Sequence, residues 1–341
     1  NRLNLNQRVL KMIRLHNLSR LYQELEPSLS RLSKLVLKSG RVMLGESTQE
    51  FEQRLALLAG ADYAVTVGSG SDALYYGLAA SQIQGPIALP SQTFVATKNS
   101  ILRAGLEPVC VDVKPNGLLD WDKVSNNIEH TVWVGLFGNT ETLPTDKIVY
   151  EDGAQHFGAL LQGIFAAYSF DPTKALPNFG NGGAVVTNHK HIADRVRLLR
   201  RHGYYDSHVG GHSVMSERDC AEMCVKLDHF PFWQERRQEI ARDYTIELSK
   251  YVDIITDHKG QVSKFVISTD QRDQLAKHLL DNKIETKLVY KDPLYNLPGA
   301  IKNCNQHLAL PCDPYTTDEE LLVVILAIKE FFQELPFKRS L

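Results

Sequence analysis

The sequence predicts an α/β protein in two parts: a larger domain with a mostly parallel sheet, then a smaller C-terminal α+β domain. Three observations carry this expectation. Over the first two thirds, short near-continuous apolar segments alternate with helical ones, the pattern of a sheet buried on both faces and crossed by helices. Beyond Pro231 the texture changes to a long charged helix candidate followed by a mixed set of short elements. The 341 residues suffice for one large two-part domain or two ordinary ones and are too many for a small binding module.

Taken in order, two amphipathic stretches come first, around Leu18 to Leu37 and Thr48 to Ala59. Strand candidates follow at Tyr63 to Val67, Pro86 to Leu89, Pro108 to Val113, Thr131 to Leu136, Lys147 to Glu151, Ala166 to Phe170 and Ala184 to Thr187. Ser71 to Ala80, Val95 to Ala104 and His191 to His202 have helical character. The later part offers a helix over Trp233 to Tyr251, a strand at Val262 to Ser268, a helix near Gln271 to Asn282 and a strand at Ile284 to Val289. A closing helix begins at Thr317-Asp318-Glu319-Glu320, which has the form of a capping box. The expected division is a helical segment over 1–60 packed on the large domain, a large domain over 61–231 and a smaller domain over 232–341.

Composition excludes several function classes. Apolar residues make up 43% and charged ones 23%, so disorder and fibrous repeats are set aside. Lys plus Arg (38) nearly balances Asp plus Glu (40), so no global field points to nucleic acid or an anionic membrane. No apolar run reaches the roughly 20 residues of a membrane helix, and the opening NRLNLNQRVLKMIRLHNLSRL lacks the apolar block of a secretory signal. The five cysteines (110, 220, 224, 304 and 312) lack paired metal spacing and suit reduced thiols in a cytoplasmic compartment. Cys220 and Cys224, four apart on one helix, read as buried apolar residues, and no metal site is expected.

Three motifs carry chemistry. Gly68-Ser69-Gly70-Ser71-Asp72-Ala73-Leu74 follows one strand and opens a helix, whose unpaired N–H groups and positive end can cradle a phosphate. The plain alternative is a turn, since the Lys of a nucleotide P-loop is missing. Glu151-Asp152-Gly153-Ala154-Gln155-His156 places acids at the carboxyl end of a strand, where open α/β sheets bind ligands. A carboxylate there could hold a protonated ring nitrogen or simply cap a helix. Tyr168-Ser169-Phe170-Asp171-Pro172-Thr173-Lys174, ahead of Phe179-Gly180-Asn181-Gly182-Gly183, puts a lysine in a turn past a buried strand. Lysine is the side chain that forms Schiff bases, though a loop lysine can equally be a surface cation.

In order along the chain, these motifs and Pro90-Ser91-Gln92-Thr93-Phe94-Val95-Ala96-Thr97 resemble those of the fold-type I pyridoxal-phosphate enzymes, and in detail the DegT/StrS-type sugar aminotransferases. The resemblance runs from about Leu21 to Phe332, with Ser39-Gly40-Arg41-Val42-Met43-Leu44-Gly45, NGGAVVTN, LLRRHG, HLALP and TTDEEL as further matching segments. It implies pyridoxal 5′-phosphate as cofactor, with Lys174 as the lysine that joins it and shuttles protons, and Asp152 as the acid on the pyridine nitrogen. It further implies that Phe94 stacks on the ring, that Gln155 lies near the ring hydroxyl and that Gly70, Ser71 and Ser169 hold the phosphate.

Amino transfer from L-glutamate to a keto sugar on a nucleoside diphosphate is the implied reaction; AQHFGA lies slightly closer to enzymes acting at C3 than at C4. A homodimer with shared sites is also implied. In the family a Gly-x-Asn-Ser-Arg segment of the neighbouring subunit reaches the phosphate; here the stretch is Gly210-Gly211-His212-Ser213-Val214, with His212 in the Asn position. The region between Gly138 and Lys147 is short by about a helix, and the hairpin from Leu160 to Ala166 is trimmed. Keto-cyclitol transamination, lyase chemistry and a non-catalytic sensor remain as other uses of the same fold. A nicotinamide dehydrogenase is disfavoured, because GSGSDA is not G-x-G-x-x-G. The Arg-rich face from Arg195 to His202 is expected to be solvated or to contact a sugar nucleotide.

Overall fold

The computed structural model describes residues 11–203 and 210–334; the first ten residues of the expected N-terminal segment lie outside the described residues. Seven strands form the larger sheet: β1 (Tyr63–Val67), β2 (Pro86–Pro90), β3 (Glu107–Val111), β4 (His130–Val134), β5 (Ile148–Asp152), β6 (Phe165–Ser169) and β7 (Gly183–Thr187). Their order is β1-β7-β6-β5-β4-β2-β3. Strands β2 to β6 pair in parallel. Only β7 runs antiparallel to its neighbours β6 and β1. The connection from β6 to β7 contains no helix to carry the chain back for a parallel return, so the strand reverses.

Helices α3 (Gly70–Ala80), α4 (Val95–Arg103) and α5 (Lys190–Leu199) accompany this sheet. Leu74, Leu78, Ile192 and Val196 of α3 and α5 join Val65, Val185 and Ala167 of the strands in one buried cluster. Two further helices, α1 (Leu18–Ser39) and α2 (Glu46–Ala59), cover another face. Leu21, Leu25 and Leu29 recur every four residues along α1 and are all buried, which contributes roughly 1.5 to 3 kcal/mol each.

The smaller sheet is antiparallel, with order β10-β11-β9-β8, formed by β8 (Asp253–Ile254), β9 (Phe265–Ser268), β10 (Lys287–Leu288) and β11 (His307–Leu310). Helices α7 (Arg272–Asp281), α8 (Pro298–Gln306) and α9 (Asp318–Glu334) complete this part. The strand expected over Ile284 to Val289 shrinks to two paired residues, because Ile284 pairs singly with Ile13 of the N-terminal segment.

Two features tie the parts together. Helix α6 (Glu217–Leu248) starts well before the expected Trp233 and runs through Pro231, so the expected junction at 231/232 falls inside a helix. Its first half, from Cys220 to Trp233, packs into the core beneath α1 and α2, and its second half, from Ile240 to Leu248, into the core of the smaller part. The apolar faces on both sides of Pro231 hold the helix despite the missing N–H. Residues 13 to 20 form the second tie. Leu15 N donates to Glu285 Oε2 and Asn17 N to Asp313 Oδ2, while Arg20 pairs with Glu320. Residues 13 to 17 therefore belong to the smaller part, and α1 and α2 cover the large one.

The Arg-rich face of α5 departs from expectation at its end. Arg200 is neither solvated nor set for a sugar nucleotide: it is buried, and its Nη1 donates to Glu52 Oε1 (2.7 Å) and to the Thr66 carbonyl (2.8 Å). Cys220 and Cys224 are buried, and burial pushes both thiols up to about 12, as suits inert packing residues. All five cysteines are free thiols. Among the described residues no helix is long and apolar enough to cross a membrane.

Candidate active site

Register brings the three motifs together. Val67 and Ser169 both face Gly183 across β7, and Val134 faces Asp152. The segments that follow β1, β5 and β6 therefore open at one edge of the sheet, beside a cavity of about 630 Å³. Ser69, Gly70, Ser71, Phe94, Asp152, Gln155, Ser169 and Lys174 all line it.

The cup is the start of α3. Ser69 caps the helix, its Oγ accepting from Asp72 N (3.1 Å), which leaves the N–H groups of Gly70 and Ser71 without intrahelical acceptors. Ser213 braces the turn from behind, accepting from Gly68 N (2.9 Å) and donating to Asp72 Oδ2 (2.8 Å). Glycine at 70 is a steric requirement: a Cβ there would lie 2.5 Å from Ser169 Cβ. Gly183 is constrained likewise, since its Cβ would meet the Ser69 carbonyl oxygen at 2.4 Å. The cup thus sits directly on the Ser169–Gly183 pair. Gly70→Ala must push the cup off Ser169, and we expect phosphate-bearing ligands to lose at least about tenfold in affinity. Titrating the variant with pyridoxal 5′-phosphate checks this.

Strand alternation separates the two acids at the end of β5. Glu151 turns away from the cavity and accepts from Gln162 N (2.7 Å) and Gly163 N (2.6 Å), closing the trimmed hairpin. Asp152 faces the cavity. Its Oδ2 accepts from Thr97 Oγ1 (2.8 Å) and its Oδ1 from Ala154 N (3.2 Å). Burial raises its pKa, and Thr97, Ala154 N and the charge of Lys174 act against that rise. Gln155 is held by Phe137 N, which donates to its Oε1 (3.2 Å), while its Nε2 donates to the Tyr290 hydroxyl (3.2 Å). Phe137 adopts a left-handed backbone, φ 65°, to present that N–H. His156 points elsewhere, edge-on to Trp133, and burial lowers its pKa to about 4.

Lys174 ends a turn in which its N–H donates to the Asp171 carbonyl (2.9 Å). Its amine is half-buried, and desolvation lowers its pKa; Asp152 and Asp171 counter this, and Lys287 adds to it. Phe94, at the N-cap of α4, is 59% exposed although it lines the cavity. His212 is the one expected site residue that the chain does not bring to its own cavity. It is exposed, its backbone bridges Arg201, and its ring centroid lies 5.7 Å from that of His202.

Sequence reasoning passed over Thr97, Tyr290, Lys264, Lys287 and Lys291. Thr97 lies three residues beyond Phe94 in a segment already singled out, and its role needed the Thr97–Asp152 contact to be seen. Tyr290 and the lysines come from the smaller part, in stretches without a motif; a lysine beside the apolar run Phe265-Val266-Ile267 was the only signal.

The sequence model of the DegT/DnrJ/EryC1/StrS aminotransferase family matches residues 26–329. The chain is 31% identical to a pleiotropic regulatory protein of Geobacillus stearothermophilus, covering 93% of this chain and 98% of that one. It is 30% identical to a dTDP-3-amino-3,4,6-trideoxy-alpha-D-glucose transaminase of Streptomyces venezuelae, over 91% of this chain and 93% of that one. The crystal structure of S. venezuelae DesV in complex with a ketimine intermediate superposes with a TM-score of 0.88 at 28% identity, covering 96% of this chain and all of that one.

Proposed function

Because the chain belongs to the DegT/DnrJ/EryC1/StrS aminotransferase family and is an aminotransferase, we propose that it moves an amino group from L-glutamate to the keto group of a nucleoside-diphosphate-linked hexose, with C3 favoured over C4. The observation that supports this reading best is the meeting of Lys174, Asp152 and the α3 cup in one cavity. The S. venezuelae relative, named for a 3-amino sugar, favours C3. The free thiols suit a cytoplasmic setting.

The residues present fit pyridoxal 5′-phosphate. The cup is narrow at Gly70, where a Cβ would strike Ser169; a buried carboxylate is fixed at Asp152; and a desolvated amine stands at Lys174. Gly70, Ser71 and Ser169 would hold the phosphate, Asp152 the pyridine nitrogen, Gln155 the ring hydroxyl and Phe94 a ring face. When bound, that cofactor supplies an electron sink for the carbon that loses its proton.

The chain's own residues do the rest. Thr97 and Ala154 N, both donating to Asp152, favour its charged form against burial, and a charged Asp152 would retain a proton on the ring nitrogen. Lys174, whose burial favours the neutral amine, would take the proton from the donor carbon and deliver it to the cofactor carbon that receives the amino group, and would carry a proton in the opposite sense, onto the acceptor carbon, in the second half. Asp171 stays beside it as a fixed charge, held by Thr173 N (2.9 Å) and Thr173 Oγ1 (2.6 Å).

Phe94 is open on one side, and His212 stands away from its own chain's cavity; both fit a homodimer in which a second copy closes each site. Phe94→Ala is expected to weaken cofactor retention about two- to tenfold, since stacking contributes about 0.5 to 1.5 kcal/mol, and to leave kcat within about threefold. Cofactor titration and steady-state kinetics check this. The reading itself is tested by adding pyridoxal 5′-phosphate and then excess L-glutamate. Loss of the visible absorption band with release of 2-oxoglutarate is expected, and a band that L-glutamate leaves unchanged would overturn the choice of donor.

A further inference from the structure

Four lysines line the cavity. Lys174 belongs to the large part, and Lys264, Lys287 and Lys291 come from the smaller one. Lys264 immediately precedes β9 and Lys287 begins β10, and these strands flank β11 on either side. Lys287 pairs with Ala309 of β11, and Phe265, next to Lys264, pairs with Leu310. The two lysines therefore start about two strand spacings apart, roughly 10 Å, at the same end of the sheet. Ala309, which also lines the cavity, leaves the space between them unfilled.

No carboxylate is paired with either amine, although the charge of Asp171 acts on Lys264. The two carboxylates that line the cavity are already engaged, Asp152 by Thr97 and Ala154 N, and Asp171 by Thr173. Among the described residues, the side-chain amine of neither Lys264 nor Lys287 donates a hydrogen bond or forms an ion pair. Burial, together with the charges of Lys174 and Lys287, pulls the pKa of Lys264 down to about 7. Lys264 is half-buried and Lys287 is exposed at the mouth of the cavity; like charges gathered there repel one another, and an anion placed between them lowers that cost. The phosphate cup cannot be what they serve, because it is built on α3 and β6 in the large part.

We propose that Lys264 and Lys287 form a carboxylate subsite for the amino donor, on the side of the cavity that the smaller part supplies. This rests on the aminotransferase reading, which brings an amino acid to Lys174 and leaves its carboxylates to be held by groups near that amine. Substrate recognition is thereby divided: the large part holds the cofactor phosphate and the smaller part the donor's acid group.

The test uses the protein loaded with pyridoxal 5′-phosphate and glutarate, a dicarboxylate without an amine, as calorimetric probe. Lys264→Met and Lys287→Met keep the aliphatic stems and remove the charges. Each is expected to weaken glutarate at least tenfold. The L-glutamate concentration for half-maximal bleaching of the visible band should rise by a similar factor, with the limiting rate held within threefold. Unchanged glutarate affinity in the double variant overturns the subsite, as does an equal loss in Lys291→Met, which would mean a diffuse field. L-norvaline, which has only the α-carboxylate, and 4-aminobutyrate, which has only the distal one, show which group the lysines take by which amine keeps the lysine dependence. If no amino acid bleaches the protein but glutarate binding still depends on both lysines, the subsite stands and the donor reading fails. If L-glutamate bleaches the double variant as it does the unaltered protein, the subsite fails and the donor reading stands.

Discussion

Lys174→Ala is expected to abolish turnover: kcat should fall by at least about 10³-fold, within the range that a positioned general acid–base group supplies, and the absorption of a cofactor held covalently at this lysine should be absent. The size of the effect follows from the site. The other lysines of the cavity, Lys264, Lys287 and Lys291, stand on the smaller part, and none occupies the turn between β6 and β7 where Lys174 meets the charges of Asp152 and Asp171. Added small amines should restore part of the lost rate, because they return a proton carrier to the space the side chain leaves. Stopped-flow absorbance with L-glutamate measures both. A variant that transaminates at the unaltered rate would refute the assignment of Lys174.

Asp152→Asn gives the second large effect. An amide of the same shape can still meet Thr97 and Ala154 N after rotation, so the fold and the cavity should survive. It carries no charge with which to hold a ring proton. The expected loss in kcat is about 10²- to 10³-fold, comparable with removing one preorganised electrostatic partner, whereas cofactor affinity should fall by less than about tenfold. Measuring cofactor affinity and single-turnover rate on one preparation separates the two quantities. Equal losses in both would make Asp152 a binding residue and nothing more.

Much of this site was legible in the sequence because its parts follow strand ends. A strand such as Tyr63–Val67 announces itself by its run of apolar residues, and whatever follows it lies at the sheet edge; the cup and Lys174 follow strands and Asp152 ends one. The parts that were not legible lack that anchor. Thr97 acts through a hydrogen bond to a residue 55 positions away. Lys264 precedes, and Lys287 begins, a short antiparallel strand whose pairing the local pattern does not specify, since β10 has only two paired residues. The extent of α6 was missed for a different reason. Pro231 reads as a break when only local propensity is weighed, and the apolar faces on both sides of it outweigh the one lost hydrogen bond.

That helix has a mechanical consequence. With 32 residues, α6 is a rod of about 48 Å, embedded at one end beneath α1 and α2 and at the other in the core beside β9 and β11. A protein whose lobes are joined by a loop can swing shut on a substrate at little cost. Here any rocking of one lobe against the other bends a rod, and the bending concentrates at Pro231, where the hydrogen-bond ladder is already open. Closing the cavity therefore costs more than in a loop-joined protein, and recognition of whatever enters it rests more on the side chains around the mouth than on closure.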